Sequence, residues 1–106
     1  MPKKLKNPVC QKSLKILGDY WTMMIIDKLI EGPLRFRDLE KKIDGVNTAT
    51  LSSRLKSMHT AGLILRNEVS RADVSYSLSA LGEKAIPILE AVNEFSRYSP
   101  SEKTSS

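Results

Sequence analysis

The apolar residues of this chain change period once, and that change constrains the fold more than any other feature. Up to Gly62 they recur every three or four residues; from Leu63 to Leu78 they alternate by two. The first pattern belongs to helices buried by one face, the second to strands. Val9, Leu14 and Leu17 mark a first helix that closes at Gly18. Asp19 suits the N-cap of a second, over about residues 20–30. Its Trp21, Met24, Ile25 and Leu29, flanked by Met23, Ile26 and Ile30, make it apolar over most of its circumference, so it belongs in the middle of the fold. Gly32-Pro33 stops it. Phe36, Leu39 and Ile43 give a short third helix ended by Asp44-Gly45. Asn47 suits the N-cap of a fourth, which ends at Gly62 in the left-handed conformation and lets Leu63 pack back on Met58.

After Gly62, Leu63, Leu65 and Val69 alternate with Ile64, Arg66 and Glu68, and Val74, Tyr76 and Leu78 alternate with serines. Ser70-Arg71-Ala72-Asp73 between the runs is polar enough for a hairpin tip. Ser79 caps a last helix over residues 80–98, which Pro87 is expected to kink. Helix, turn, helix and hairpin in this order predict a winged helix-turn-helix. The fold class is mainly α with a β-hairpin wing and an extra helix at each end. Residues 1–98 are expected to form one domain, and the polar residues 99–106 a loose tail.

Bulk properties narrow the function classes. A chain of 106 residues can bury a core without metal or disulfide staples. The single Cys10 cannot form an internal disulfide. No secretory signal is recognisable, and the longest apolar run, residues 23–26, is too short for a bilayer, so a cytoplasmic protein is expected. His59 is the only histidine and falls at the edge of a buried stripe, where packing is expected rather than catalysis. With no Ser/His/Asp set, metal-ligand cluster or Gly-rich phosphate loop, no catalytic residue, metal or cofactor is predicted. The net charge of +5 points weakly to a polyanion.

The fourth helix sharpens that pointer. With Leu51, Leu55 and Met58 inward, Ala49, Ser53, Lys56 and Thr60 point outward, with Thr50, Ser52 and Ser57 on the flanks. Short hydroxyl side chains allow close approach and can donate to phosphate oxygens or base edges. No acid on this helix would repel a duplex, and a helix of this kind fits the major groove. The N–H groups from Thr48 to Thr50 add a partial positive end. Arg54 sits near the buried stripe and has two possible roles, a phosphate clamp or an ion pair to a neighbouring helix. Arg35 and Arg37 begin the preceding helix, where contact with the DNA backbone is expected, and Arg71 lies at the wing tip. No aromatic residue is expected on an exposed face, which argues against single-stranded RNA.

The end helices carry more apolar surface than a compact core needs. Val9, Leu14 and Leu17 on the first, with Ile86, Leu89, Val92 and Phe95 on the last, predict a homodimer interface. Two-fold symmetry would set two reading helices about 34 Å apart on one side of double-stranded DNA.

Taken together, the strings Ile16-Leu-Gly-Asp-Tyr-Trp-Thr22, Leu29-Ile-Glu-Gly-Pro-Leu-Arg-Phe-Arg-Asp-Leu39, Leu51-Ser-Ser-Arg-Leu55, Ala61-Gly-Leu63 and Tyr76-Ser-Leu-Ser-Ala-Leu-Gly82 resemble the HxlR-type regulators of bacteria and archaea, which are MarR-like. The resemblance runs over about residues 7–95. It implies a homodimeric winged-helix DNA-binding protein, joined through its N- and C-terminal helices and acting on pseudo-palindromic promoter sites. Members that sense oxidants use a cysteine immediately before the Pro-Val of the first helix; here Asn7 stands there and Cys10 follows three residues later. The family often has Pro, a basic residue and Gln where this chain has Thr48, Ala49 and Ser53. The expected function is a sequence-specific transcriptional regulator. The alternatives are a protein-binding winged helix without DNA binding, or a thiol-based redox sensor through Cys10. No small-molecule effector is legible.

Overall fold

The computed structural model describes residues 8–98. Both Asn7 and the tail at 99–106 lie outside the described residues. The elements run α1 Pro8–Leu17, α2 Tyr20–Leu29, β1 Leu34–Arg35, α3 Phe36–Lys42, α4 Thr48–Thr60, β2 Ile64–Ser70, β3 Asp73–Leu78, α5 Ala80–Glu83 and α6 Ile86–Ser96. Helices pack on a three-stranded antiparallel sheet of order β1-β3-β2. This is a winged helix-turn-helix with an additional helix at its N-terminal end and two at its C-terminal end.

Helix boundaries follow local chemistry. The Asp19 carboxylate accepts from the Thr22 backbone N–H at 2.9 Å, Asn47 Oδ1 from that of Thr50 at 2.7 Å, and Ser79 Oγ from that of Gly82 at 3.0 Å. Each satisfies a donor that the first turn of a helix leaves unpaired. Past the end of α4, Gly62 adopts φ +81°, and Leu63 N–H donates to the Met58 carbonyl at 2.9 Å. That closure turns the chain from helix into wing. The central helix α2 is where its composition put it: Ile25, Ile26 and Leu29 are buried, and Trp21, Met23 and Met24 pack against the core from partly buried positions. Leu39 and Ile43, then Leu51, Leu55 and Met58, and finally Leu63, Ile64 and Ala85 complete that core.

Three features differ from the sequence-based expectation. A strand too short to show periodicity, β1, pairs Leu34 with Tyr76 and Arg35 with Ser75, which anchors the start of α3 to the sheet. In β2 the inward side chain is Ile64, while Leu65 and Val69 are 51% and 81% exposed. The strand meets the core only at its beginning and then projects beyond it, so alternation along the strand does not report burial. The last helix is two helices. Pro87 lies in the first turn of α6, where its missing N–H costs nothing, rather than kinking a continuous helix. The break at Lys84–Ala85 follows from the way α5 is held. Ser79 caps it and also donates to the Gly62 carbonyl, and Gly82 is packed so closely that an added Cβ would lie 2.1 Å from the Leu63 carbonyl oxygen.

Candidate nucleic-acid interface

α4 is seated by its inner stripe. Leu51, Leu55 and Met58 are each 3% exposed or less, which fixes the rotation of the helix about its axis. Its outward positions follow: Ala49, Ser52, Ser53, Lys56, Ser57 and Thr60 are exposed, as is Thr48, and Thr50 is half-buried. His59 is exposed as well, contrary to the packed position expected for it. It lies one residue past Met58, on the solvent side of the stripe's edge.

Two tertiary contacts then orient α4 against its neighbours. Arg54 Nε and Nη2 donate to Asp19 Oδ2 and Oδ1 at 2.8 and 3.0 Å, a bidentate pair spanning α4 and the start of α2. Of the two roles open to Arg54, the tie to a neighbouring helix is the one the geometry contains. Asp19 also accepts from the Thr22 hydroxyl at 2.9 Å. The Arg54 hydrogen bond, aided by the Thr22 bonds and opposed by partial burial, holds the Asp19 carboxyl at about 2, below its ordinary 3.8. At the other end of the helix-turn-helix, the Thr48 hydroxyl donates to Glu40 Oε2 on α3 at 2.6 Å.

Three of the candidate basic residues collect beside α3. Arg35, Arg37 and Arg71 line one open cleft of about 530 Å³ between the start of α3 and the wing tip, together with Asp38, Glu40 and Val74. Asp38 accepts from the Arg35 backbone N–H, and the Arg35 guanidinium pairs with Asp73 at 2.9 Å across to the wing. Among the described residues Arg37, Arg71 and Lys56 enter no ion pair, so their charge faces solvent. Sequence reasoning missed the two carboxylates that tie α4 to its neighbours. Glu40 reads as one of several scattered surface carboxylates, and Asp19 as a cap and nothing more. Neither contact has a sequence signature, because each joins helices through space.

On the end helices, Val9, Leu14, Val92 and Phe95 are between 51% and 70% exposed. Leu17 and Leu89 instead pack against the core of their own chain, and Ile86 is half-buried. Tyr20, Ile88 and Tyr98 add to the exposed apolar surface, so aromatic residues do reach solvent, on the end-helix side of the molecule. Cys10 is half-buried on α1. No His/Cys/Asp/Glu group able to hold a metal occurs among the described residues, and no helix there is long and apolar enough to cross a membrane.

Residues 16–103 match the HxlR-like helix-turn-helix family. The chain belongs to that family. An uncharacterized HTH-type transcriptional regulator of Halalkalibacterium halodurans is 37% identical over 86 residues, covering 78% of this HxlR-like chain and 76% of the relative. Among solved structures, a protein of Porphyromonas gingivalis W83 described as a MarR-family transcriptional regulator superposes with a TM-score of 0.80 at 30% identity, over 90% of this chain and 97% of that one. The quinone-bound YodB of Bacillus subtilis shares the fold, with a TM-score of 0.78 at 22% identity over 89% and 100% of the two chains. The winged-helix architecture of this HxlR-like chain is therefore that of MarR-type regulators.

Proposed function

We propose that this protein is a cytoplasmic transcriptional regulator that binds double-stranded DNA sequence-specifically as a homodimer on pseudo-palindromic promoter sites. The observation that carries the reading is the outer face of α4. Small, hydroxylated and basic side chains are exposed along it, while three buried residues and two inter-helix contacts seat the helix against the core. Such a face can enter the major groove closely enough for Ser52, Ser53 and Thr50 to donate to acceptors, with Lys56 and Ser57 at phosphate. Arg37 and Arg71, on either side of the cleft beside α3, supply cationic charge where a backbone passes between the helix-turn-helix and the wing.

The exposed apolar side chains of α1 and α6 support the dimer. A two-fold partner covering Val9, Leu14, Val92 and Phe95 would remove large hydrophobic side chains from water and pair two copies of α4. Because Ala49 and Ser53 lack the length for bidentate base contacts, recognition along most of α4 relies on phosphate, thymine methyls and DNA shape.

The test is a mobility shift on random duplex at about 50 and 200 mM salt. The wild type should bind with roughly micromolar or tighter affinity at low salt and weaken steeply as salt rises. Lys56→Ala should weaken binding to all sequences and lower the salt slope by about one. Absence of binding at low salt would overturn the assignment and favour a protein-binding winged helix.

A further inference from the structure

The carboxylates on the elements packed against α4 are engaged in different ways. Asp19 pairs with Arg54 and Asp73 with Arg35, and Asp38 accepts from a backbone N–H. Glu40 accepts instead from a hydroxyl, that of Thr48, the first residue of α4, and enters no ion pair among the described residues. The same side chain lines the cleft that holds Arg37 and Arg71. A helix with no acid of its own is thus given one at its leading end by its neighbour.

A negative charge there favours the free protein through the helix dipole but works against approach to phosphate. A surface that only gripped the backbone would bind better without it. An ionised carboxylate has about four acceptor positions and no donor, and the Thr48 hydroxyl uses one of them. Its complement on a duplex is an amino group. In the major groove, cytosine presents the N4 amino donor alone, whereas adenine sets its N6 donor beside the N7 acceptor, which would repel a carboxylate. The start of a helix-turn-helix reading helix is the part that reaches base edges, and the Thr48 hydroxyl holds the Glu40 carboxylate, itself on α3, at that end of α4.

We propose that Glu40 is a specificity-determining residue whose carboxylate, oriented by the Thr48 hydroxyl, accepts from the N4 amino group of cytosine at one base pair of each half-site. Thr48 is then a positioning residue, because its proton points to Glu40 and not to the duplex. This rests on α4 being the reading helix.

The experiment is selection of bound duplexes from a random pool by the full chain and by Glu40→Ala, Glu40→Gln and Thr48→Val, followed by affinity measurements on the selected motif and on random duplex. The wild-type motif should contain a fixed cytosine in each half-site. Glu40→Ala should lose about tenfold discrimination at that pair while the other positions keep theirs. Glu40→Gln should move the preference toward adenine, since an amide matches both N6 and N7. Thr48→Val should relax the same position. Equal loss at every position, an unchanged motif in Glu40→Ala, or a wild-type motif without the cytosine would each overturn the proposal. Random-duplex binding separates the two readings. If salt-sensitive binding persists while the motif ignores Glu40, only the carboxylate's role falls; if random duplex is not bound at low salt, DNA binding itself falls.

Discussion

Replacing Arg54 with alanine should destabilise the fold in a way that depends on pH. The guanidinium makes two hydrogen bonds to Asp19, and it is the largest influence holding that carboxyl at about 2 rather than 3.8. At about 1.4 kcal/mol per pH unit, a drop of that size corresponds to roughly 2–3 kcal/mol for all its causes together. The Thr22 bonds survive the substitution, and the two side chains are 34% and 27% exposed, which screens the pair. A loss of about 1–2 kcal/mol at neutral pH is the expectation, a fall of several degrees in Tm for a domain of this size. The folded-state value of Asp19 lies below its unfolded value, so the stabilisation is complete above the ordinary carboxylate range. It is lost as pH falls through 3.8 toward 2. Urea melts of wild type and Arg54→Ala, taken from neutral pH down to about pH 2.5, should show a gap that narrows in acid. Equal stability at neutral pH, or a gap that does not change with pH, would refute the account. Asp19→Asn adds a control on function, because it breaks the same tie while leaving the Arg54 charge in place. If Arg54 acts only as a tie, both substitutions should change the salt slope of DNA binding alike. A drop confined to Arg54→Ala would instead give the guanidinium a phosphate contact.

The other expectations are simpler. Gly82→Ala would drive a methyl group to 2.1 Å from the Leu63 carbonyl oxygen, where the neighbour is backbone and cannot swing aside. A loss of about 2–4 kcal/mol in thermal or urea melts is expected, and a neutral result would mean that α5 is not clamped to the end of α4 as described. Phe95→Asp alters a side chain that is 70% exposed in the single chain. It should leave the monomer folded by circular dichroism yet shift sedimentation toward half the wild-type mass, and an unchanged mass would remove Phe95 from the interface.

Most of the scaffold was legible because its signals are local. Capping side chains act within three residues, as at Asp19, Asn47 and Ser79, and a left-handed glycine ends α4 within the next two residues. The stripe of Leu51, Leu55 and Met58 sits at helical spacing, which fixed the outward set of α4 in advance. Where reading failed, the deciding quantity was not local. Leu65 and Ile64 look equally suited to a buried strand position, but the core ends at Ile64 and the wing continues into solvent. Pro87 inside an apolar run reads as a kink, yet the chain had already broken at Lys84–Ala85, making it an N-terminal proline.

By itself the sequence determined the order of the main elements, β1 and the α5–α6 break excepted, together with the family and the composition of the presented helix face, since period, caps and turn residues act over a few positions. Only the tertiary structure decided what those side chains meet. It turned Arg54 toward Asp19, closed Arg35 onto Asp73, gathered Arg37 and Arg71 on one cleft and brought Glu40 to Thr48. Hydrogen bonds and ion pairs of this kind depend on distances of about 3 Å between segments remote along the chain, and packing of the whole core sets those distances.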